Sequence, residues 1–145
     1  MDDDDVIAAA IVVLERRMQV SELPWSSEDT KTYLTLKLSD YDREVFAVLL
    51  LDARHRMIEY VELFYGTVDK AVVYPREIAR RALQMNASAI VLAHNHPSGV
   101  SEPSPRDVAL TEQVRKALAL IDVRILDHLI IGAKLTTSLA ERGLL

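Results

Sequence analysis

The sequence lacks cysteine entirely and has few glycines and prolines. Without cysteine the chain can form neither a disulfide framework nor a thiolate metal site. Any transition metal would therefore need histidine and carboxylate ligands. The same absence excludes the zinc nucleoside deaminases, whose signature requires a pair of cysteines. The 4 glycines and 5 prolines are too few for a fibrous or low-complexity protein.

Long apolar runs are also missing. The longest, residues 6–14, is far short of the roughly 20 residues that a transmembrane helix needs. It does not look like a signal-peptide core either, because residues 2–5 are all aspartate and residues 15–17 are charged, where a signal peptide has a basic segment and a small-residue cleavage site. We therefore expect no membrane span and a cytoplasmic location.

Basic residues are in the minority, since 17 Lys and Arg against 22 Asp and Glu give a net charge of −5. An acidic domain lacks the broad positive surface of a nucleic-acid-binding protein, so we do not expect direct nucleic-acid binding. Arg76, Arg80 and Arg81 lie close together in the sequence and offer a local basic patch, although a solvated helix face accounts for them better. The 145 residues, 50% of them hydrophobic, are typical of one globular domain.

The spacing of apolar residues predicts an α/β (α+β) domain with a mixed sheet and helices packed against it. Helices are expected over residues 6–19, 28–39, 75–86 and 105–121, with Pro24 ending the first helical segment. Strands are expected over residues 45–51, 57–64, 72–74, 89–93, 123–131 and 135–139. The segment 28–39 is ambiguous because its leucines alternate as in a strand, but the serine and acidic residues at its start favour a helix N-terminus.

Two of the four histidines, His94 and His96, follow directly on the predicted buried strand 89–93. In extended backbone, side chains two residues apart point the same way, so the two imidazoles would converge beyond the end of a strand. A loop can bring Asp107, at the start of the next predicted helix, to the same point. Two histidines, one aspartate and a water form an open zinc site of the catalytic type. An ordinary polar loop is compatible with the same residues.

Ser104 and Asp107 also have a purely structural interpretation. Ser-x-x-Asp before an amphipathic helix, with Pro105 at the first helical position, is typical of a capping box. Capping and metal binding can coexist, because the N-terminus of a helix favours anions. For the other two histidines, we expect His55 to be exposed between two arginines, and His128 to be a hydrogen-bonded structural residue rather than a support for a metal ligand.

The residues 94–96, Ser104 and Asp107 match the pattern H-x-H-x7-S-x2-D of the JAMM (MPN+) metalloproteases. The longer segments around them, residues 94–99 and 102–104, resemble the RadC family of bacterial JAMM-domain proteins. Four further segments are also similar to RadC sequences: residues 43–46, 51–52, 74–77 and 126–129. The resemblance covers residues 28–145 as a RadC-type JAMM/MPN domain and leaves residues 1–27 as a predicted N-terminal helical extension.

The resemblance implies a curved mixed sheet of the JAMM/MPN, cytidine-deaminase-like kind and a hydrolase that cleaves peptide or isopeptide bonds in a peptide or protein substrate. His94, His96 and Asp107 would bind Zn²⁺, Glu44 would act as the general base, and Ser104 would stabilise the oxyanion. The assignment of Glu44 depends on the resemblance alone, because the sequence around it is that of an ordinary glutamate at the start of a strand.

Two alternative functions remain at the level of the sequence. One is a DNA-repair accessory or DNA-processing protein, against which the net charge of −5 counts. RadC proteins usually carry an additional N-terminal helical region, for which this chain has too few residues before Glu44, so the resemblance implies a short member or part of a longer protein. The other alternative is a non-catalytic MPN interaction module, against which the complete set of ligand residues counts.

Overall fold

The computed structural model describes residues 1–20, 25–67 and 71–145, and the predicted break at Pro24 lies outside them. The helices are α1 (Asp3–Gln19), α2 (Ser27–Leu38), α3 (Pro75–Gln84) and α4 (Pro105–Ala119). The strands are β1 (Val45–Leu51), β2 (Met57–Tyr65), β3 (Ala89–Asn95), β4 (Arg124–Ile131) and β5 (Thr136–Ser138). Within the described ranges, no helix has the length and apolar character of a membrane span.

The five strands form one mixed sheet in the order β2-β1-β3-β4-β5. β3 and β4 are parallel, and the other neighbouring strands are antiparallel. The predicted fold class, a mixed sheet flanked by helices, is confirmed. The β1–β3 pairing sets Phe46 opposite His94, so the start of β1 lies beside the end of β3. This register determines which side chains can meet at that edge.

Helices cover both faces of the sheet. The side chains of β1 alternate between two hydrophobic clusters: Val45, Ala47, Leu49 and Leu51 pack with α1 and α2, whereas Phe46, Val48 and Leu50 pack with α3 and α4. β1 and β3 are buried along their whole length. Because both of their faces are covered, their sequences are continuous apolar runs rather than alternating ones.

Capping explains where the first two helices begin. Asp2 and Asp5 form a capping box, with 2.8 Å between the Asp5 amide nitrogen and Asp2 Oδ1, so α1 starts earlier than predicted. The Asp29 amide donates to Ser26 Oγ at 3.1 Å, and the ambiguous segment is a helix as predicted. Tyr33 on this helix is fully buried, and its hydroxyl donates a hydrogen bond to Glu15 of α1 at 2.9 Å.

Two predicted boundaries near the site are wrong. Residues 72–74 do not form a strand, because they pair with none of the five strands in the described sheet. The backbone of the preceding residue, Ala71, bonds to side chains instead: its carbonyl accepts from Arg106 at 3.4 Å, and its amide donates to Glu44. β3 continues through His94 and Asn95, which were predicted to lie in a loop. Both residues still pair with β1 or β4 in the sheet, so the polar residues begin inside the strand.

The β1–β2 connection is a tight turn, and His55 within it is half-buried rather than exposed as predicted. Its φ of 60° turns the chain, and Asp52 Oδ1 accepts from the amides of Arg54 and Arg56, each at 2.9 Å. The imidazole is half-buried, with its ring centroid 6.1 Å from that of Trp25 in an edge-on arrangement. The turn directs this side chain towards Trp25, which covers part of the ring.

Candidate metal centre

β3 and α4 bring His94, His96 and Asp107 together. His94 points to the face of the sheet that α4 covers, and His96 lies two residues further along. The two Nε2 atoms are 3.0 Å apart, and they lie 3.2 Å (His94) and 3.4 Å (His96) from the nearer Asp107 carboxylate oxygen. A tetrahedral zinc ion with bonds of about 2.0–2.1 Å separates its ligand atoms by roughly 3.3 Å. The three side chains could therefore hold a metal ion.

The orientation of the His96 ring agrees with metal binding. Its Nδ1 lies 2.7 Å from the carbonyl oxygen of Val100. A carbonyl only accepts hydrogen bonds, so in neutral His96 the proton is on Nδ1 and the lone pair of Nε2 faces Asp107. A lone pair and a carboxylate oxygen cannot hydrogen-bond to each other and need a cation between them. The donor set therefore suits a bound metal or, without one, a shared proton.

A tight turn supplies the Val100 carbonyl. The Gly99 amide donates to the His96 carbonyl at 2.8 Å, and the Gly99 carbonyl accepts from the Ala133 amide at 2.9 Å. Gly99 has a φ of 89°, and a Cβ there would lie 3.1 Å from the Ala133 Cβ. Glycine meets both requirements because it tolerates positive φ and close contact. The turn thus packs against the β4–β5 connection and holds the His96 ring.

Ser104 and Asp107 form the predicted capping box at the start of α4. The Asp107 amide donates to Ser104 Oγ at 3.1 Å, and the Ser104 amide donates to Asp107 Oδ2 at 2.9 Å. Burial alone would raise the pKa of Asp107, but the contacts with His94 and His96 and the Ser104 amide hold that pKa well below its usual range. Capping thus fixes a carboxylate that also faces both histidines.

The same carboxylate acts on His96. When His96 is protonated it can donate a hydrogen bond to Asp107, and this raises the pKa of His96 above the ordinary value, against the opposing effect of burial. The imidazolium form is therefore stabilised wherever no metal ion takes the place of the proton.

Glu44 is 9% exposed and immediately precedes β1. Burial raises its pKa, an effect that the neighbouring His94 and the Ala71 amide partly offset. It lines a cleft of about 540 Å³ together with His94, His96, Ser104 and Asp107. Among the described residues, the cluster close enough to share an ion does not include Glu44. Its position therefore suits a proton acceptor beside a metal rather than a ligand.

Asn95 has a structural role that was not predicted from the sequence. It points to the opposite face of β3 from His94, where Oδ1 accepts from the Val45 amide at 2.7 Å and Nδ2 donates to the Arg43 carbonyl at 2.9 Å. These two peptide groups flank Glu44, so the Asn95 amide ties the backbone around Glu44 to the histidine strand. A sequence signal did exist, since an asparagine between two side chains on one face of a strand must find partners on the other face.

His128 is fully buried and hydrogen-bonded, as predicted, but one of its partners is His94. Its Nε2 lies 2.8 Å from His94 Nδ1, and its Nδ1 lies 2.6 Å from Thr111 Oγ1. Burial lowers the pKa of His128 well below its ordinary value, and the neighbouring His94 lowers it further. His128 is therefore neutral and supports a predicted metal ligand. Thr111 was not singled out from the sequence.

Comparison with known proteins gives consistent matches over most of the chain. The profile of the family described as "RadC-like JAB domain" matches residues 25–144. A UPF0758 protein of Marinomonas sp. (strain MWYL1) is 57% identical over 119 residues, covering 82% of this chain and 53% of the relative. A UPF0758 protein of Vibrio cholerae is 50% identical over 138 residues, covering 95% and 87%.

A third relative, a UPF0758 protein of Leptothrix cholodnii, is 53% identical over 141 residues, covering 94% of this chain and 64% of its own length. The chain spans about half the length of several of the curated relatives that it matches. The family profile, the relatives and the mixed sheet agree with the resemblance seen in the sequence, and the chain belongs to the RadC family.

Proposed function

We propose that this chain is a zinc-dependent hydrolase that cleaves peptide or isopeptide bonds in a peptide or protein substrate. The observation that carries the proposal is the convergence of His94, His96 and Asp107 on one point, with the buried Glu44 on the wall of the same cleft. An ion site that opens into a cleft, with a carboxylate beside it, is the arrangement that metal-assisted hydrolysis requires.

The residues of the cleft divide the chemistry between them. When bound by His94, His96 and Asp107, a zinc ion would lower the pKa of a water and polarise the scissile carbonyl. Glu44 accepts the proton of the attacking water and passes it to the leaving amine. Its raised pKa suits a group that must both take up and release a proton. The Ser104 hydroxyl donates a hydrogen bond to the developing oxyanion near the N-terminus of α4.

The two alternatives have less support. A non-catalytic module would not require a buried carboxylate beside three converging ligand side chains. A DNA-processing role would require a positive surface, and the chain carries a net charge of −5. Metal-dependent peptide cleavage separates hydrolysis from a non-catalytic module, and a DNA titration at two salt concentrations tests the DNA-processing role.

The test is cleavage of a mixed peptide library by protein stripped of metal with a chelator, before and after addition of Zn²⁺. We expect cleavage only after zinc is added, and its loss when the chelator returns. The His94→Asn variant, purified in the same way, serves as the control for a contaminating protease and should be inactive. The proposal would be contradicted if cleavage were unaffected by the chelator and persisted in His94→Asn. It would also be contradicted if the zinc-loaded parent cleaved no peptide.

A further inference from the structure

We propose that Thr111 and His128 are positioning residues that fix the tautomer of His94. They would do so through a directed series of hydrogen bonds from the backbone carbonyl of Asp107 to His94 Nδ1. The inference deepens the proposed function, on which it rests for the identity of the metal, but the direction of the hydrogen bonds follows from the chemistry of the groups themselves.

The direction is set at the helix. Thr111 Oγ1 lies 2.7 Å from the carbonyl oxygen of Asp107, one turn earlier in α4. A carbonyl can only accept, so the single hydroxyl proton of Thr111 points to it. The same hydroxyl oxygen lies 2.6 Å from Nδ1 of His128. Because the Thr111 hydroxyl already donates its hydrogen bond to the Asp107 carbonyl, it must accept one from His128. His128 Nδ1 therefore carries a proton.

The series continues to the metal ligand. His128 is fully buried, and a neutral imidazole with a proton on Nδ1 has a lone pair on Nε2. That Nε2 lies 2.8 Å from Nδ1 of His94, so His94 Nδ1 must donate. His94 Nε2 is then left with a lone pair directed at the Asp107 carboxylate, 3.2 Å away. The Val100 carbonyl imposes the same tautomer on His96.

The rings are also held in place by packing. Phe46 stacks on His94 with a centroid distance of 5.8 Å and an interplanar angle of 12°, and meets His128 edge-on at 5.5 Å. Asp107 occupies both ends of the arrangement, because its carboxylate faces the candidate metal position and its backbone carbonyl starts the hydrogen-bond series. Removing the Thr111 hydroxyl would free His128 to adopt the other tautomer, with the consequence that His94 Nδ1 loses its acceptor.

The experiment compares Thr111→Val, which removes the hydroxyl at nearly constant shape, with Thr111→Ser, which keeps it. The matched control is Thr30→Val, because Thr30 is also buried in a helix and also donates to the carbonyl four residues earlier, Ser26, at 2.9 Å. Two quantities are measured: the imidazole ¹⁵N NMR spectra of metal-free protein at a pH where the rings are neutral, and Zn²⁺ affinity by competition with a chromophoric chelator.

In the metal-free parent we expect the Nδ1–H tautomer for both His94 and His128. Thr111→Val should change this pattern and weaken zinc binding by about 10–100-fold, the usual loss when a hydrogen-bond partner of a metal ligand is removed. Thr111→Ser and Thr30→Val should match the parent. The Nε2–H tautomer of either histidine in the parent overturns the inference without any variant, as does parent-like behaviour of Thr111→Val. If the parent binds no zinc, the proposed function fails, while the NMR spectra still decide the tautomers.

Discussion

The proposed role of Glu44 as a proton acceptor can be tested apart from the proposed metal ligands by a substitution that changes one side-chain heavy atom. Glu44→Gln keeps the size of the side chain but removes the proton acceptor. We expect zinc content to equal that of the parent and peptide hydrolysis to fall by roughly 10²-fold or more. Hydrolysis rates and elemental analysis on the same preparations check this. Undiminished hydrolysis in Glu44→Gln would mean that another carboxylate is the base.

Zinc affinity should depend on pH through His96. Its hydrogen bond with Asp107 raises the pKa of His96, so the imidazolium form persists to a higher pH than in a free histidine. Zinc must displace that proton. Affinity should therefore be constant above the raised pKa and fall by about tenfold per pH unit below it, if one proton is displaced.

The measurement is a series of zinc titrations from pH 5 to pH 8 with a competing chelator whose own protonation is corrected for. Release of protons into a weakly buffered solution on zinc addition is the independent readout. An affinity that stays constant across this range would show that zinc does not compete with a proton on His96.

Local spacing accounts for part of the site. The alternation of an extended chain places His94 and His96 on one side, and cap chemistry places Asp107 at the start of α4. Glu44 and Thr111 carry no comparable local signal, because they reach the site through strand pairing and through packing of α4 on the sheet. Only the resemblance to a family indicated Glu44, and nothing indicated Thr111.

At the scale of elements, β3 contributes to the site from both of its faces. His94 faces α4, and Asn95 holds the peptide groups of Arg43 and Val45 on either side of Glu44. Asn95→Asp keeps the acceptor for the Val45 amide but sets a carboxylate oxygen against the Arg43 carbonyl. We expect a loss of about 1–3 kcal/mol in unfolding free energy and slower hydrolysis, with zinc content unchanged.

Chemical denaturation, hydrolysis rates and elemental analysis of Asn95→Asp check these three outcomes together. Thr137→Val, which removes a hydroxyl hydrogen bond to Ser101, is a control for general loss of stability and should leave hydrolysis unchanged. Loss of zinc in Asn95→Asp, with its fold intact, would show that Asn95 supports the ligands rather than Glu44.

The helices and central strands were predictable because their signals are local or because burial on two faces leaves a continuous apolar run. The end of β3 and the segment 72–74 were not. The strand was predicted to end at residue 93 because polar side chains follow. In the structure, pairing with β1 and β4 extends it to Asn95. In 72–74, two valines and a tyrosine favour a strand by propensity, but the segment has no partner strand in the described sheet.

At the scale of the whole molecule, carboxylates pair with two of the three arginines of α3. Arg80 pairs with Glu77 at 2.8 Å, and Arg81 pairs with Glu59. With a net charge of −5, the chain can neutralise few phosphates. We therefore expect no measurable complex with duplex or single-stranded DNA at physiological salt.

Titration of fluorescent DNA at two salt concentrations tests this expectation. Glu59→Gln, which releases the partner of Arg81, should raise binding at low salt only. A complex of the parent tighter than about 10⁻⁷ M at physiological salt exceeds the range of non-specific binding. It would favour a DNA-processing role and a phosphodiester substrate for the same centre.

The central claim is that three side chains from one strand end and one helix start, His94, His96 and Asp107, hold a zinc ion. Its most direct test is calorimetric titration of metal-free protein with Zn²⁺, for the parent and for His96→Ala. The account predicts one zinc per chain in the parent and loss of tight binding in His96→Ala, because two protein ligands rarely hold zinc tightly. Full, tight zinc binding by a folded His96→Ala variant would contradict it.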